Sequence, residues 1–99
     1  MATRTPIPIS RSMKRVAENL DLARRQQRIT IDLLAERAGI SVSTVRRLLR
    51  DGQGTVENLL RVSRILGMLD SVQQATDPLG TEIGRLRADE DTPLRVRNR

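Results

Sequence analysis

Ninety-nine residues carry 18 Lys or Arg against 12 Asp or Glu, a net charge of +6, on a chain long enough for one small domain and one core. With neither Cys nor His, disulfides, thiolate or imidazole zinc sites, and cysteine or histidine catalysis are excluded, and the one lysine, Lys14, has no motif around it for a Ser–Lys pair. No enzyme chemistry, metal or cofactor is expected, and the lack of Phe, Tyr and Trp favours duplex over single-stranded nucleic acid, whose bases are gripped by stacking on rings.

The charge is uneven. Residues 1–50 hold eleven Lys or Arg against four acids, a balance of +7, whereas residues 51–99 hold seven Arg against eight acids, a balance of −1. Positive charge gathered in one half attracts a polyanion, although the same arginines also serve as solvated faces. No apolar run approaches the roughly 18 residues of a membrane span, and the first thirty residues lack a signal-peptide core, so a cytoplasmic protein without a membrane partner is expected.

Along the chain, residues 1–12 (MATRTPIPISRS) hold Pro6 and Pro8 and no helical period, and read as a flexible arm. From about Met13 to Arg28, Val16, Leu20 and Ala23 recur at spacings of four and three, the apolar face of a first helix. Thr30 offers a hydroxyl cap and Asp32 an acid in the first turn of a second helix over Ile31 to Ala38, which buries Leu34, Ala35 and Ala38 and stops at Gly39.

Ser41 caps a third helix from Val42 to about Arg50, with Val45, Leu48 and Leu49 inward. Two helices of about eight residues around a three-residue glycine turn have the dimensions of a helix-turn-helix. Thr55 caps a fourth helix with Glu57 in its first turn and Leu59, Leu60, Val62, Ile65 and Leu66 on its buried side. A fifth, short helix is expected at about Leu69 to Ala75. After Asp77-Pro78 the pattern stops, and residues 77–99 read as a disordered or partner-dependent tail. The organisation expected is an arm over 1–12, a domain over 13–76 and a tail over 77–99.

The run ITIDLLAERAGISVSTVRRLLRDGQGTVENLLRVSRILGM resembles the XRE (Cro/CI-like) helix-turn-helix family of phage and bacterial repressors, over about residues 14–70. Thr30, Leu34-Ala35, Ala38-Gly39-Ile40-Ser41 and Thr44-Val45 match the family's cap, apolar-Ala pair, turn and recognition-helix start. The resemblance implies an all-α, four- to five-helix domain with a flexible N-terminal arm and a C-terminal tail, repressing transcription from duplex DNA. Three positions depart from the pattern. Ile31 stands where a Gln commonly binds phosphate. Leu49 stands where a Glu commonly pairs with an arginine of the first helix, which leaves Arg24 to DNA backbone or another acid. Val42 replaces a long polar side chain and meets a thymine methyl rather than hydrogen-bonding a base.

With the third helix in the major groove, Val42, Ser43, Thr44, Arg46 and Arg47 are the candidates for base contact, Arg47 at a family contact position and Arg46 divided between base and phosphate. Thr30, Arg24, Arg50, Gln53 and Gly54 are the phosphate candidates, the last two through backbone amides. A single helix-turn-helix of this size binds as a dimer on two half-sites, so a homodimer on an inverted-repeat operator is expected, with Met68, Leu69 and Val72 at its interface and Ile65 in the monomer core.

The tail DPLGTEIGRLRADEDTPLRVRNR resembles the C-termini of HipB-type antitoxins, which repress their own operon and hold a HipA-like kinase toxin. That resemblance implies toxin contact through Leu94, Arg95, Val96 and Arg97, against DNA contact or plain solvation. A stand-alone phage-type repressor and an inhibitor that binds an acidic protein without touching DNA are the alternatives.

Overall fold

The computed structural model describes residues 4–88 and residue 90, so Leu94, Arg95, Val96 and Arg97 lie outside the described residues. Among the described residues there are helices and no strands: α1 (Ile7–Gln26), α2 (Ile31–Ala38), α3 (Val42–Asp51), α4 (Val56–Ile65), α5 (Leu69–Ala75), a 3-10 turn (Pro78–Gly80) and α6 (Glu82–Ala88). The chain divides into two compact units between Leu69 and Asp70. No helix among the described residues is long and apolar enough to cross a membrane.

The first helix begins inside the segment expected as an arm. Pro6 is its N-cap and Pro8 lies in its first turn, where a missing N–H has no intrahelical partner to lose. The amides of Ile9 and Ser10 donate to the Pro6 carbonyl at 3.0 Å, so the prolines start α1 instead of breaking it. Its buried face matches the expected one in part. Leu20 is buried and Ala23 packs against the core as expected, but Val16 is 41% exposed and Ala17 is buried instead. The inward side holds Met13, Ala17, Leu20 and Arg24, at helical spacings of four, three and four, with Ala23 beside them.

At its C-terminus α1 closes with Arg28 in the left-handed region (φ 56°), while the Ile29 amide donates back to the Arg24 carbonyl at 3.1 Å. Six-to-one closure of this kind usually carries glycine at the left-handed position, and the buried Ile29 that follows is the apolar anchor of the turn.

α1 packs on α3, and α2 packs on both α3 and α4. Leu20, Ile29, Leu34, Ala35, Ala38, Val45, Leu48, Leu49, Val62 and Leu66 form the core, with Ile65 and Met68 packed against it at partial exposure. The expected inner faces of α2 and α3 are borne out by these residues. On α4, Leu60 stays half-buried outside the core and Ser63 is fully buried instead, because the α4 stripe follows Leu59, Val62, Ser63 and Leu66. The Gln27 side-chain amide donates to the Leu66 carbonyl at 2.8 Å, tying the end of α1 to the end of α4.

The second unit holds more local structure than the sequence pattern implied. The Asp77 carboxylate accepts from the Leu79 amide, and the Thr81 hydroxyl accepts from the Gly84 amide, both at 2.9 Å. Gly84 is needed there because a Cβ would overlap the Pro78 carbonyl. Leu79, Ile83 and Leu86 remain exposed, so hydrogen bonds and caps rather than an apolar core hold these turns.

Candidate nucleic-acid interface

The turn between α2 and α3 is built by local chemistry. Thr30 Oγ1 accepts from the Leu33 amide at 3.1 Å, capping α2, and Gly39 ends that helix with φ 72°. Ser41 Oγ accepts from the Thr44 amide at 3.1 Å and starts α3. Each cap satisfies a helix N–H that would otherwise lack a partner, and the left-handed glycine lets the chain reverse within three residues.

The side chains of α3 then divide sharply. Val45, Leu48 and Leu49 are buried, and Ser43, Arg46, Arg47 and Arg50 are exposed at spacings of three, one and three, along one outer face. Arg46 and Arg47 have no ion-pair partner among the described residues, and Arg50 meets only its exposed neighbour Asp51, at 3.3 Å. An exposed pair of that kind is worth about 0–1 kcal/mol and leaves the guanidinium free to exchange partners.

Two residues expected at the bases are placed less openly. Val42 is half-buried against the core, and the half-buried Thr44 has its hydroxyl 2.7 Å from Ser41 Oγ. Ser43, also within 3.2 Å of Ser41 Oγ, is the exposed polar group at the start of the helix.

Arg24 resolves toward the acid. Its Nε and Nη2 both donate to one Asp21 carboxylate oxygen, at 3.0 and 2.8 Å, and its Nη1 donates to the Ile29 carbonyl at 2.9 Å. With only 16% of its side chain exposed, Arg24 braces the turn leading into α2 and is not presented to a phosphate. Ile31 and Leu49, the two apolar departures from the family pattern, line one cleft with Asp21, Arg24, Arg46 and Arg50.

Of the expected phosphate groups, Thr30, Arg50, Gln53 and Gly54 are exposed. The Gln53 amide already closes the α3 terminus on the Arg47 carbonyl at 3.4 Å, a long bond that a stronger acceptor replaces readily. Arg28 belongs to no motif of the sequence: it is exposed, lies two residues before the Thr30 cap, and only its positive φ marks it.

A helix-turn-helix family model, HTH_3, matches residues 12–70, more than half of the chain. The chain belongs to the HTH_3 helix-turn-helix family. This HTH_3 protein is accordingly a DNA-binding transcription regulator of the XRE type. No curated protein and no solved structure matches the chain.

Proposed function

We propose that this HTH_3 protein is a dimeric repressor of its own operon and the antitoxin of a HipA-like kinase toxin. The observation that carries the operator-reading part is the outer face of α3, where Ser43, Arg46 and Arg47 stand exposed and the two guanidiniums are uncompensated. Arg47 reads a guanine O6/N7 edge, Arg46 reads a base or holds a phosphate, and Val42 and Thr44 offer methyl groups at the groove. Thr30, Arg50 and the amides of Gln53 and Gly54 hold the backbone, with Arg24 acting behind them as a brace.

The dimer contact is assigned to Met68, Leu69 and Val72, each only half-buried in the single chain. The antitoxin part is supported by the resemblance of the chain's end to HipB-type tails. Leu79, Ile83 and Leu86, just before that end in sequence, are exposed apolar residues.

Fluorescence anisotropy with the protein's own promoter duplex tests the DNA reading. Affinity should fall steeply with salt as Lys and Arg displace counterions, and single strands of the same sequence should bind far less well. Arg47→Ala should lose about 1–3 kcal/mol on the operator and relax one base-pair preference. Equal losses on operator and random duplex would remove Arg47 as a base reader. For the antitoxin part, the neighbouring gene product is co-purified with full-length protein and with a truncation after Asp77. Recovery with the full chain alone supports tail docking, equal recovery with both removes the tail from the partner site, and recovery with neither favours a stand-alone phage-type repressor.

A further inference from the structure

Three arginines converge on the first unit outside the face of α3. A cleft of about 130 Å³ is lined by Arg37, Ala38 and Gly39 at the end of α2, and by Arg61, Arg64 and Ile65 in the last turns of α4. Arg61 is fixed in place, its Nε donating to Glu57 at 2.8 Å and its Nη1 to the Ala38 carbonyl at 3.2 Å. Gly39 makes the room, since a Cβ there would stand 3.3 Å from Arg61 Nη1. Arg37 and Arg64 are exposed and have no ion-pair partner among the described residues.

The local charge does not balance. Glu57 offsets one of the three guanidiniums but does not line the cleft, and the C-termini of α2 and α4 contribute about half a negative charge each. Roughly one positive charge is left over, above a floor of Ala38, Gly39 and Ile65 that offers no carboxylate. The cleft is also far from the expected phosphate contacts. Ala38 lies about 12 Å along α2 from the Thr30 cap, and Arg64 about 13 Å along α4 from the Thr55 cap, at 1.5 Å per residue.

At about 130 Å³, the cleft falls below the roughly 300–1,000 Å³ of small-molecule sites and admits a side chain rather than a nucleotide. We propose that it docks an acidic segment of a partner protein, with a carboxylate seated between Arg37 and Arg64 over the fixed Arg61. Guanidinium and carboxylate then pair through charge-assisted hydrogen bonds, and the stem of the acidic side chain lies on Ile65.

The test is a titration of the full-length protein with a fluorescein-labelled hexaglutamate peptide at low salt. Wild-type protein should bind it saturably, and the Arg37→Gln/Arg64→Gln variant should bind about tenfold more weakly. The control Arg46→Gln/Arg47→Gln removes the same charge from α3 and should stay within about twofold of wild type. Arg37→Lys/Arg64→Lys keeps the charge and should keep most of the binding, which separates docking from loss of fold. Absence of saturable binding, equal losses in the two Gln pairs, or displacement of the peptide by inorganic phosphate at lower concentration than by unlabelled peptide would overturn the proposal.

Discussion

A Cβ on Gly52 would overlap the backbone carbonyl of Met13, so the end of α3 and the second turn of α1 meet main chain to main chain. Gly52 also caps α3 with φ 69°, a conformation that disfavours any side chain. The position therefore does two things: it ends α3 and lets α1 pack against it.

The first prediction ranks the three left-handed glycines. Gly52→Ala meets both backbone overlap and the φ penalty and should cost more than about 2 kcal/mol in urea unfolding. Gly67→Ala, with nothing within 4 Å of the new methyl, should cost only the conformational penalty of about 1 kcal/mol. Gly39→Ala should fall between them, because the methyl presses on the end of the Arg61 side chain. Equal losses at Gly52 and Gly67 would show that the approach of α1 to α3 relaxes freely.

Arg24 and Arg50 should separate by readout. Arg24→Gln breaks the bonds to Asp21 and the Ile29 carbonyl and should lower stability by about 1–2 kcal/mol. It should leave the salt dependence of promoter binding nearly unchanged. Arg50→Gln should leave stability within about 0.5 kcal/mol and reduce the slope of log K against log salt by about 1. A reversed pattern would return Arg24 to the phosphate backbone.

Arg28 holds φ 56° at the closing turn of α1, where glycine is unstrained. Arg28→Gly should raise stability by about 0.5–1 kcal/mol, measured by thermal or urea unfolding. If stability rises while promoter affinity falls, Arg28 contributes charge at the start of α2 despite its backbone cost. A loss of stability would mean that the side chain packs productively on the turn.

Ser63 is fully buried, and its hydroxyl has no hydrogen-bond partner among the described residues. An unsatisfied buried hydroxyl costs about 1–3 kcal/mol, so Ser63→Ala should stabilise the domain, by about 1 kcal/mol after the small loss of packing. Destabilisation on that substitution would point to an ordered water on the hydroxyl, which a high-resolution crystal structure would reveal.

Residues close in sequence determined the local architecture. Thr30, Gly39, Ser41 and Thr55 fix where α2 ends and where α2, α3 and α4 begin, because each cap or left-handed turn involves partners within a few residues. Periodicity likewise identified Val45, Leu48 and Leu49 as the inner side of α3, and hence Arg46, Arg47 and Arg50 as its outer side. Pro6 and Pro8 obscured the start of α1, since proline both breaks a helix interior and opens a first turn, and only the neighbouring hydrogen bonds separate the two roles.

Tertiary structure decided the rest. Leu20 and Ala23 face the core as their spacing implies, but that Ala17 is buried, Val16 exposed and Met13 set against Gly52, thirty-nine positions away in the chain, depends on how α1 meets α3. On that inward side Arg24 meets Asp21 and the Ile29 carbonyl. It is packing across helices, too, that gathers Arg37, Arg61 and Arg64, which in sequence are only basic residues on two separate amphipathic segments. Caps and periods are encoded locally because their hydrogen bonds and φ preferences act over a few residues, whereas the edge of a buried face and side-chain convergence follow from how one buried surface fits another.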